Sequence, residues 1–362
     1  MQDPNTFTLP SESYVVIEGN LKPDPSIEND VAFVNNGVSF LIDEVRFELN
    51  GVEVDKIRNV GTTTLMKTLA SLQHSRIGVT SNFGFDANNF RNDVIDTSGK
   101  FEVCIPLKHW LGFAEDYERI ILGARQELIL VRARNDANAL YSTKAGDKSS
   151  VEITKIYWLL PHITVSDAAK IQLLQIIDKD TNIILPFRSW EMYENPSLSQ
   201  SSRIYWSVTT TSQLEKPRYV LVGFQVGRKN STSFANDKFN HIDLKDIKLF
   251  LNSESYPYNN LNLDPTNNKY SFLYQMYLNF QQSYYGRNID VAPCMSRDEF
   301  HDRFLIVFDC KHQVDNLKTA PVDVRLEIET AKSVPAGTAC YCLIIHDKLI
   351  QYSALSNIVR RI

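Results

Sequence analysis

No stretch of this 362-residue sequence is apolar for the ~20 residues that a membrane-crossing helix needs; runs such as Ile120–Leu122 and Leu343–Ile345 stop far short. The opening residues Met1, Gln2, Asp3 and Pro4 have neither the basic start nor the apolar core of a secretory signal, which leads us to expect synthesis inside a host cell. Cysteine is scarce and odd in number: Cys104, Cys294, Cys310, Cys340 and Cys342 are scattered and read as thiols rather than as a disulfide framework. A basic excess is also missing. With a formal charge of −5 and a pI near 5.9, the main surface does not suit gripping nucleic acid, which requires clustered Lys and Arg to displace counterions. Any such contact is expected to be local, at Arg132 and Arg134 or at Arg360 and Arg361.

Motifs of chemistry are equally thin. Gly19, Gly37 and Gly51 belong to no phosphate-binding pattern, and neither GxGxxG nor GxxxxGK followed by Ser or Thr occurs. Asp298, Glu299, His301 and Asp302 form the densest group of potential ligands or acid/base residues, but their adjacency in SRDEFHDRF reads as a solvated loop. Cys340 and Cys342 have strand spacing and no second pair to complete a zinc site, so they read as buried small side chains. Asp43–Glu44 lies beside a hairpin that accounts for it structurally. We therefore expect no enzyme, no catalytic residue, no cofactor and no bound metal.

What the sequence does contain is alternation. In EVRFEL, Val45, Phe47 and Leu49 fall on one face and Glu44, Arg46 and Glu48 on the other, the pattern of a half-buried strand. Asn50–Gly51 then suits a type I′ turn, and Val52 and Val54 begin a return strand. The pattern recurs in DIKLFL, where Ile247, Leu249 and Leu251 take the places of Val45, Phe47 and Leu49, and Asn252 that of Asn50. A helical spacing follows each hairpin: Leu65, Met66, Leu69 and Leu72, then Phe272, Leu273, Met276, Tyr277 and Phe280. Strands at Phe101–Ile105 and Phe304–Phe308 come next, followed by Glu127–Val131 and Val322–Ile328, and finally Val151–Trp158 and Thr338–Ile345. The same order of elements used twice implies an internal duplication. Ser166 is placed to cap a helix running to Ile177, with Ile171, Leu174 and Ile177 along one side, and marks the boundary between residues 1–165 and 166–362. Two antiparallel modules of this length with long insertions suit an all-β protein of two tandem eight-stranded jelly rolls with short inserted helices, each burying the inner faces of two sheets about 10 Å apart. The aromatic stretches Tyr256–Tyr258 and Tyr274–Tyr285 read mainly as core, with Tyr284 and Tyr285 open between core and interface.

Several segments carry a family resemblance. SYVVIEGNL (Ser13–Leu21), FLIDEVRFELNGVEVDKIRNVG (Phe40–Gly61), FEVCIPLKHWLGFAEDY (Phe101–Tyr117), FRSWEMYE (Phe187–Glu194), LEKPRYVLVGFQVGRKN (Leu214–Asn230), LNSESYPYNNLNLD (Leu251–Asp264) and CLIIHDKLIQYSALSNIVRRI (Cys342–Ile362) resemble the double-jelly-roll major capsid proteins of DNA viruses and of related elements integrated in invertebrate genomes. Pro106, Leu107 and Trp110 match the Pro-Leu-x-x-Trp signature of many such proteins. The resemblance implies a virion structural protein that self-assembles. Three chains would make a pseudo-hexagonal homotrimer, which packs against neighbouring capsomers and a separate vertex protein in an icosahedral shell. The competing expectation is a tandem β-sandwich that binds carbohydrate or another ligand in a concave site.

Overall fold

The computed structural model describes residues 7–26, 31–73, 77–85, 91–92, 94–144, 146–179, 181–208, 217–286, 293–311 and 322–362. Met1–Pro4, and the Leu214–Lys216 start of one segment with family resemblance, lie outside them.

In the N-terminal half the principal strands are β1 (Tyr14–Lys22), β2 (Ile42–Leu49), β3 (Val52–Arg58), β4 (Lys100–Pro106), β5 (Gln126–Arg132) and β6 (Ser150–Leu159). They form two antiparallel sheets, ordered β6-β1-β4 and β3-β2-β5. The C-terminal half contains β7 (Asn182–Asn195), β8 (Arg203–Val208), β9 (Pro217–Val226), β10 (Leu244–Leu251), β11 (Glu254–Tyr256), β12 (Leu305–Asp309), β13 (Val324–Thr330), β14 (Thr338–Ser353) and β15 (Ile358–Arg361). Its sheets run β7-β14-β9-β12, with β15 also on β14, and β8-β13-β10-β11.

The duplication read from the sequence is therefore a duplication of topology. Strand β1 between β6 and β4 corresponds to β9 between β14 and β12, and β2 between β3 and β5 corresponds to β10 between β11 and β13. In the second half β7 and β8 bring each sheet to four strands, giving the eight of a jelly roll before β15 is added. In the first half the short strands Val31–Val34, Arg91–Asn92 and Leu140–Ser142 form one small side sheet, and Phe7–Thr8, Ile121–Leu122 and His162–Ile163 another.

Alternation explains which way the strands face. Val45, Phe47 and Leu49 are fully buried, as are Ile247, Leu249 and Leu251. Phe47 stands opposite Leu128, and Leu249 opposite Leu326, so the two triplets meet equivalent partners on β5 and β13. At the first hairpin Asn50 (φ 50°) and Gly51 (φ 79°) both take the left-handed conformation that a two-residue type I′ turn requires. At the second hairpin Asn252 (φ 55°) does the same.

Helix α1 (Val60–Ser71) is buried on every side, wedged between the halves. Helix α2 (Gly112–Asp116) follows the Pro106–Trp110 segment. Helix α3 (Asp167–Asp178) starts at Ser166, whose hydroxyl accepts from the Ala169 amide at 3.4 Å, as expected. Its apolar side differs from expectation: Leu173 and Ile177 touch the core, whereas Ile171 and Leu174 are exposed. Helix α4 (Ser271–Tyr285) buries Leu273, Tyr277, Phe280 and Tyr284, but Phe272 faces outward because it is one residue off that face. Strand β14 runs eight residues past the expected Ile345, its far end held by β7 and β15.

Changing Phe47 or Leu249 to Asp places an unpaired charge in a fully buried site, a cost of several kcal/mol against a domain stability of about 5–15 kcal/mol. Both variants should be lost from the soluble fraction on expression, while an exposed control, Phe272→Asp, should express like wild type.

Candidate functional site

Outside the sheets, elements of the two halves meet along a seam. Strand β7 supplies one side and α1, α2 and β3 the other, with α4 closing over them. At Gly112 the two backbones touch: a Cβ there would lie 1.8 Å from the Arg188 carbonyl oxygen, so only glycine allows α2 to sit against β7.

Charges fix the seam laterally. Asp116 accepts from the Arg188 backbone amide and Nε, both at 2.8 Å, and from Nη2 at 2.5 Å. The guanidinium also donates to the Tyr284 carbonyl at 2.7 Å and stacks 3.6 Å above the Tyr284 ring. Asp55 on β3 is fully buried and accepts from Ser189 Oγ at 2.6 Å and from the Phe113 amide at 2.9 Å.

Deeper in, Lys67 of α1 pairs with Glu115 of α2, and Glu115 accepts from Tyr284 at 2.8 Å and Tyr285 at 2.5 Å. Burial alone would raise the Glu115 carboxyl, but the Lys67 ammonium and the two phenols hold it below the ordinary carboxylate value. Helix α4 adds two neutral contacts: Tyr277 Oη donates to the Leu69 carbonyl at 2.9 Å, and Gln281 to that of Leu72 at 2.8 Å. Tyr284 and Tyr285 are thus joint residues within one chain, and Tyr277 is core.

A cleft of about 210 Å³ opens beside Lys67, His109, Glu115 and Tyr285, with Phe83 on its wall. Burial, reinforced by the nearby Lys67 charge, pushes the His109 imidazole down to about 3, so it is neutral at physiological pH. The polar groups here bind one another: Lys67 to Glu115 and Tyr285, and His109 to Asn36 at 3.3 Å and Thr68 at 3.4 Å.

The residues singled out for chemistry are dispersed. Asp298–Asp302 is not a loop but part of helix α5 (Arg297–Asp302), where Ser296 and Glu299 form a reciprocal capping box. The serine-x-x-glutamate spacing was the signal that the loop reading passed over. Glu299 is committed to that cap, and His301 packs 5.1 Å from His241 and 5.7 Å from Tyr270. Among the described residues no three His, Cys, Asp or Glu side chains gather in a way that could hold a metal ion. Cys340 and Cys342 are buried in β14, and all five cysteines are free thiols. Burial raises the thiols of Cys310, Cys340 and Cys342 well above their ordinary value. Glu44 is tied to Arg58 at 3.1 Å.

The arginines named for local contact differ in their surroundings. Strand β5 ends at Arg132, which bonds the Leu41 carbonyl at 2.9 Å and pairs with Asp136, while Arg134 lies beyond the strand and is exposed. Arg360 and Arg361 are exposed on β15. Tyr256 donates to Glu254 at 3.0 Å, and Tyr258 projects into solvent.

The profile of the double jelly roll-like domain family matches residues 31–350, most of the chain. The chain belongs to this family. Solved structures agree on the fold of this double jelly roll-like protein. The crystal structure of VP54 of PBCV-1, fitted into a reconstruction of the virophage Sputnik, aligns with 100% of this chain and 91% of its own at a TM-score of 0.60 and 10% identity. The faustovirus major capsid protein aligns at 0.56 and 8% identity over 96% of this chain and 86% of its own. The mavirus major capsid protein aligns at 0.51 and 11% identity over 99% and 84%. No curated protein matches by sequence. Within the described residues of this double jelly roll-like protein, no helix is long and apolar enough to cross a membrane.

Two outcomes follow from the seam of the double jelly roll-like protein. Lys67→Met strands the Glu115 carboxylate and should lower stability by about 3–5 kcal/mol, whereas Lys67→Met with Glu115→Gln should cost clearly less; urea midpoints separate the two. His109 also sets an acid limb. Its folded value near 3 lies below the ordinary 6.5, so the unfolded chain binds the extra proton between those values and stability falls as pH drops through that window. His109→Gln should flatten the fall of the urea midpoint between pH 6.5 and 4.5. A residual slope there is expected from His241, which burial and His301 also depress.

Proposed function

We propose that this chain is a major capsid protein, a structural and not a catalytic component of a virus-like particle. The observation that carries the reading is the close coupling, in one chain, of two sandwiches that share six strands in the same order, within a family whose fold recurs in the faustovirus and mavirus major capsid proteins. We place the division between the rolls at residues 1–165 and 166–362. Three copies then present six similar modules around a threefold axis, a pseudo-hexagonal capsomer able to tile an icosahedral shell alongside a separate vertex protein.

A buried charged seam suits this role. Tiling needs each pair of modules held at one angle, and hydrogen-bonded charge pairs supply direction that apolar packing lacks. The surface supplies contacts for neighbours: Ile171, Leu174 and Ile176 stand exposed on one helix, and Tyr205, Phe234, Tyr258 and Leu355 project elsewhere. In this reading the protein is made in the host cell and resides in the virion capsid. Contact with packaged nucleic acid, where it occurs, is local, at Arg134, Arg360 and Arg361, since Arg132 is engaged within the fold.

Light scattering on the purified protein tests the trimer. The expected mass is three times the 41.4 kDa chain mass and is retained on dilution, with more than about 800 Å² buried per subunit, as an obligate contact requires. A stable monomer at micromolar concentration in physiological salt, with no particles in any assembly buffer, would contradict the reading.

A further inference from the structure

Strand β14 reverses the usual chemistry of its two faces at one point. Residues two apart share a face, and in His346–Gln351 the buried set is His346, Lys348 and Ile350, while Asp347 and Gln351 are partly exposed and Leu349 is 37% exposed. A lysine thus takes a buried position and a leucine faces water. Lys348 is only 6% exposed, and side chains of its kind are almost never so covered unless they are paired.

A partner is what Lys348 lacks. Phe187, opposite it on β7, presents its ring 5.9 Å from Nζ. The carboxylates around it are taken. Asp55 accepts from Ser189 Oγ, from the Lys56 amide at 3.0 Å and from the Phe113 amide. Glu191 accepts from Tyr193 at 2.7 Å and contacts His346 Nε2 at 3.2 Å, and Glu53 is paired with Lys56 at 2.8 Å. Among the described residues, no acceptor bonds to the Lys348 ammonium. Burial holds that ammonium below its ordinary value against the pull of Asp55, Glu53 and Glu191, and the Arg361 charge adds to the fall.

Lys348 opens onto a groove of about 230 Å³ between the two rolls. Glu53, Lys56 and Arg58 of β3 line one side, and Glu191 of β7, Lys348 of β14 and Arg361 of β15 the other. Arg361 stands opposite Ile350, which puts it on the face that Lys348 shares. Arg58 is bound to Glu44 and Lys56 to Glu53, whereas Arg361 is exposed and, among the described residues, bonds no carboxylate. Two cations therefore remain unmatched in one concave site, one at its floor and one at its rim, and a buried charge in that state is costly unless something pairs with it.

We propose that this groove is a binding site for a free phosphate dianion, held by Lys348 from the floor and by Arg361 from the rim. The two unmatched charges equal those of hydrogen phosphate, and an ammonium and a guanidinium supply donors to several of its oxygens. A phosphodiester has one charge and two bulky substituents, so a nucleic-acid strand would meet Arg361 at the rim and leave the deep Lys348 unpaired. Bound there, the dianion links β3 of the first roll to β14 and β15 of the second. The proposal rests on the groove alone and holds whether or not the chain builds a shell.

Isothermal titration of the full 362-residue chain with inorganic phosphate, in chloride buffer at constant ionic strength, tests it, with thermal melts alongside. Phosphate should bind at one site per chain and raise the melting temperature, since a ligand of the folded state alone stabilises that state. Lys348→Met should weaken binding at least about tenfold, the contribution of one charge-assisted hydrogen bond. The same variant should melt no lower than wild type without phosphate, because it removes a buried charge that has no partner. Arg361→Gln, at an exposed position, should weaken binding and leave the phosphate-free melt unchanged. No heat from the wild-type chain at millimolar phosphate would overturn the proposal, as would binding that Lys348→Met leaves intact. A Lys348→Met chain that melts far lower, or does not fold, would overturn it by showing the ammonium to be paired within the fold. A short oligothymidylate that binds through Lys348 and is not displaced by phosphate would overturn the free anion as occupant in favour of a nucleic-acid strand.

Discussion

The contact on which the rest of this molecule depends is the approach of α2 to β7, where Gly112 lies against the Arg188 carbonyl. It places Asp116 under the Arg188 guanidinium, Glu115 within reach of Lys67 and both α4 tyrosines, and the Phe113 amide over Asp55. Each of these groups is costly to bury alone and tolerable only with its partner in place. The seam therefore has one geometry, and the two sandwiches share one continuous apolar core instead of moving as beads on a linker. A two-module subunit with a fixed internal angle is suited to tiling, which is how the seam supports the capsid role proposed for this chain.

Much of this was legible in the sequence, and the reason is periodicity. Val45, Phe47 and Leu49 declare their face by alternation, Asn50–Gly51 declares the turn, and Ile247, Leu249 and Leu251 repeat the pattern, because these signals lie within a few residues of one another. What stayed hidden is long-range. Glu115 meets Lys67, Tyr284 and Tyr285, and Arg188 meets Asp116, across separations that no local pattern encodes. Phe272 and Ile171 sit within helical apolar spacings in the sequence, and only the packing shows which side of each helix has a neighbour and that these two residues face away from it. Arg132 and Arg134 are separated for a simpler reason, since the strand ends at Arg132.

The asymmetry between the rolls was invisible for the opposite reason. The repeated elements match well enough that the sequence suggests two equal halves, and the strands that differ, β7 and β8, resemble ordinary members of the second half. Only the sheet order shows that, among the described residues, the sheets of the first half have no strands in those places. Leu326 and Ile328 alternate with Arg325 and Glu327, whereas Leu128 and Leu130 stand in the unbroken apolar run Leu128–Val131, and only the burial shows that this strand is half covered.

The central claim is that two rigidly joined jelly rolls make this chain a shell-building subunit, and electron microscopy of the purified protein tests it most directly. The account predicts capsomers of pseudo-hexagonal outline, each with six lobes from three chains, which associate edge to edge into closed particles as ionic conditions are varied. A uniform field of separate two-lobed particles under every condition would contradict it.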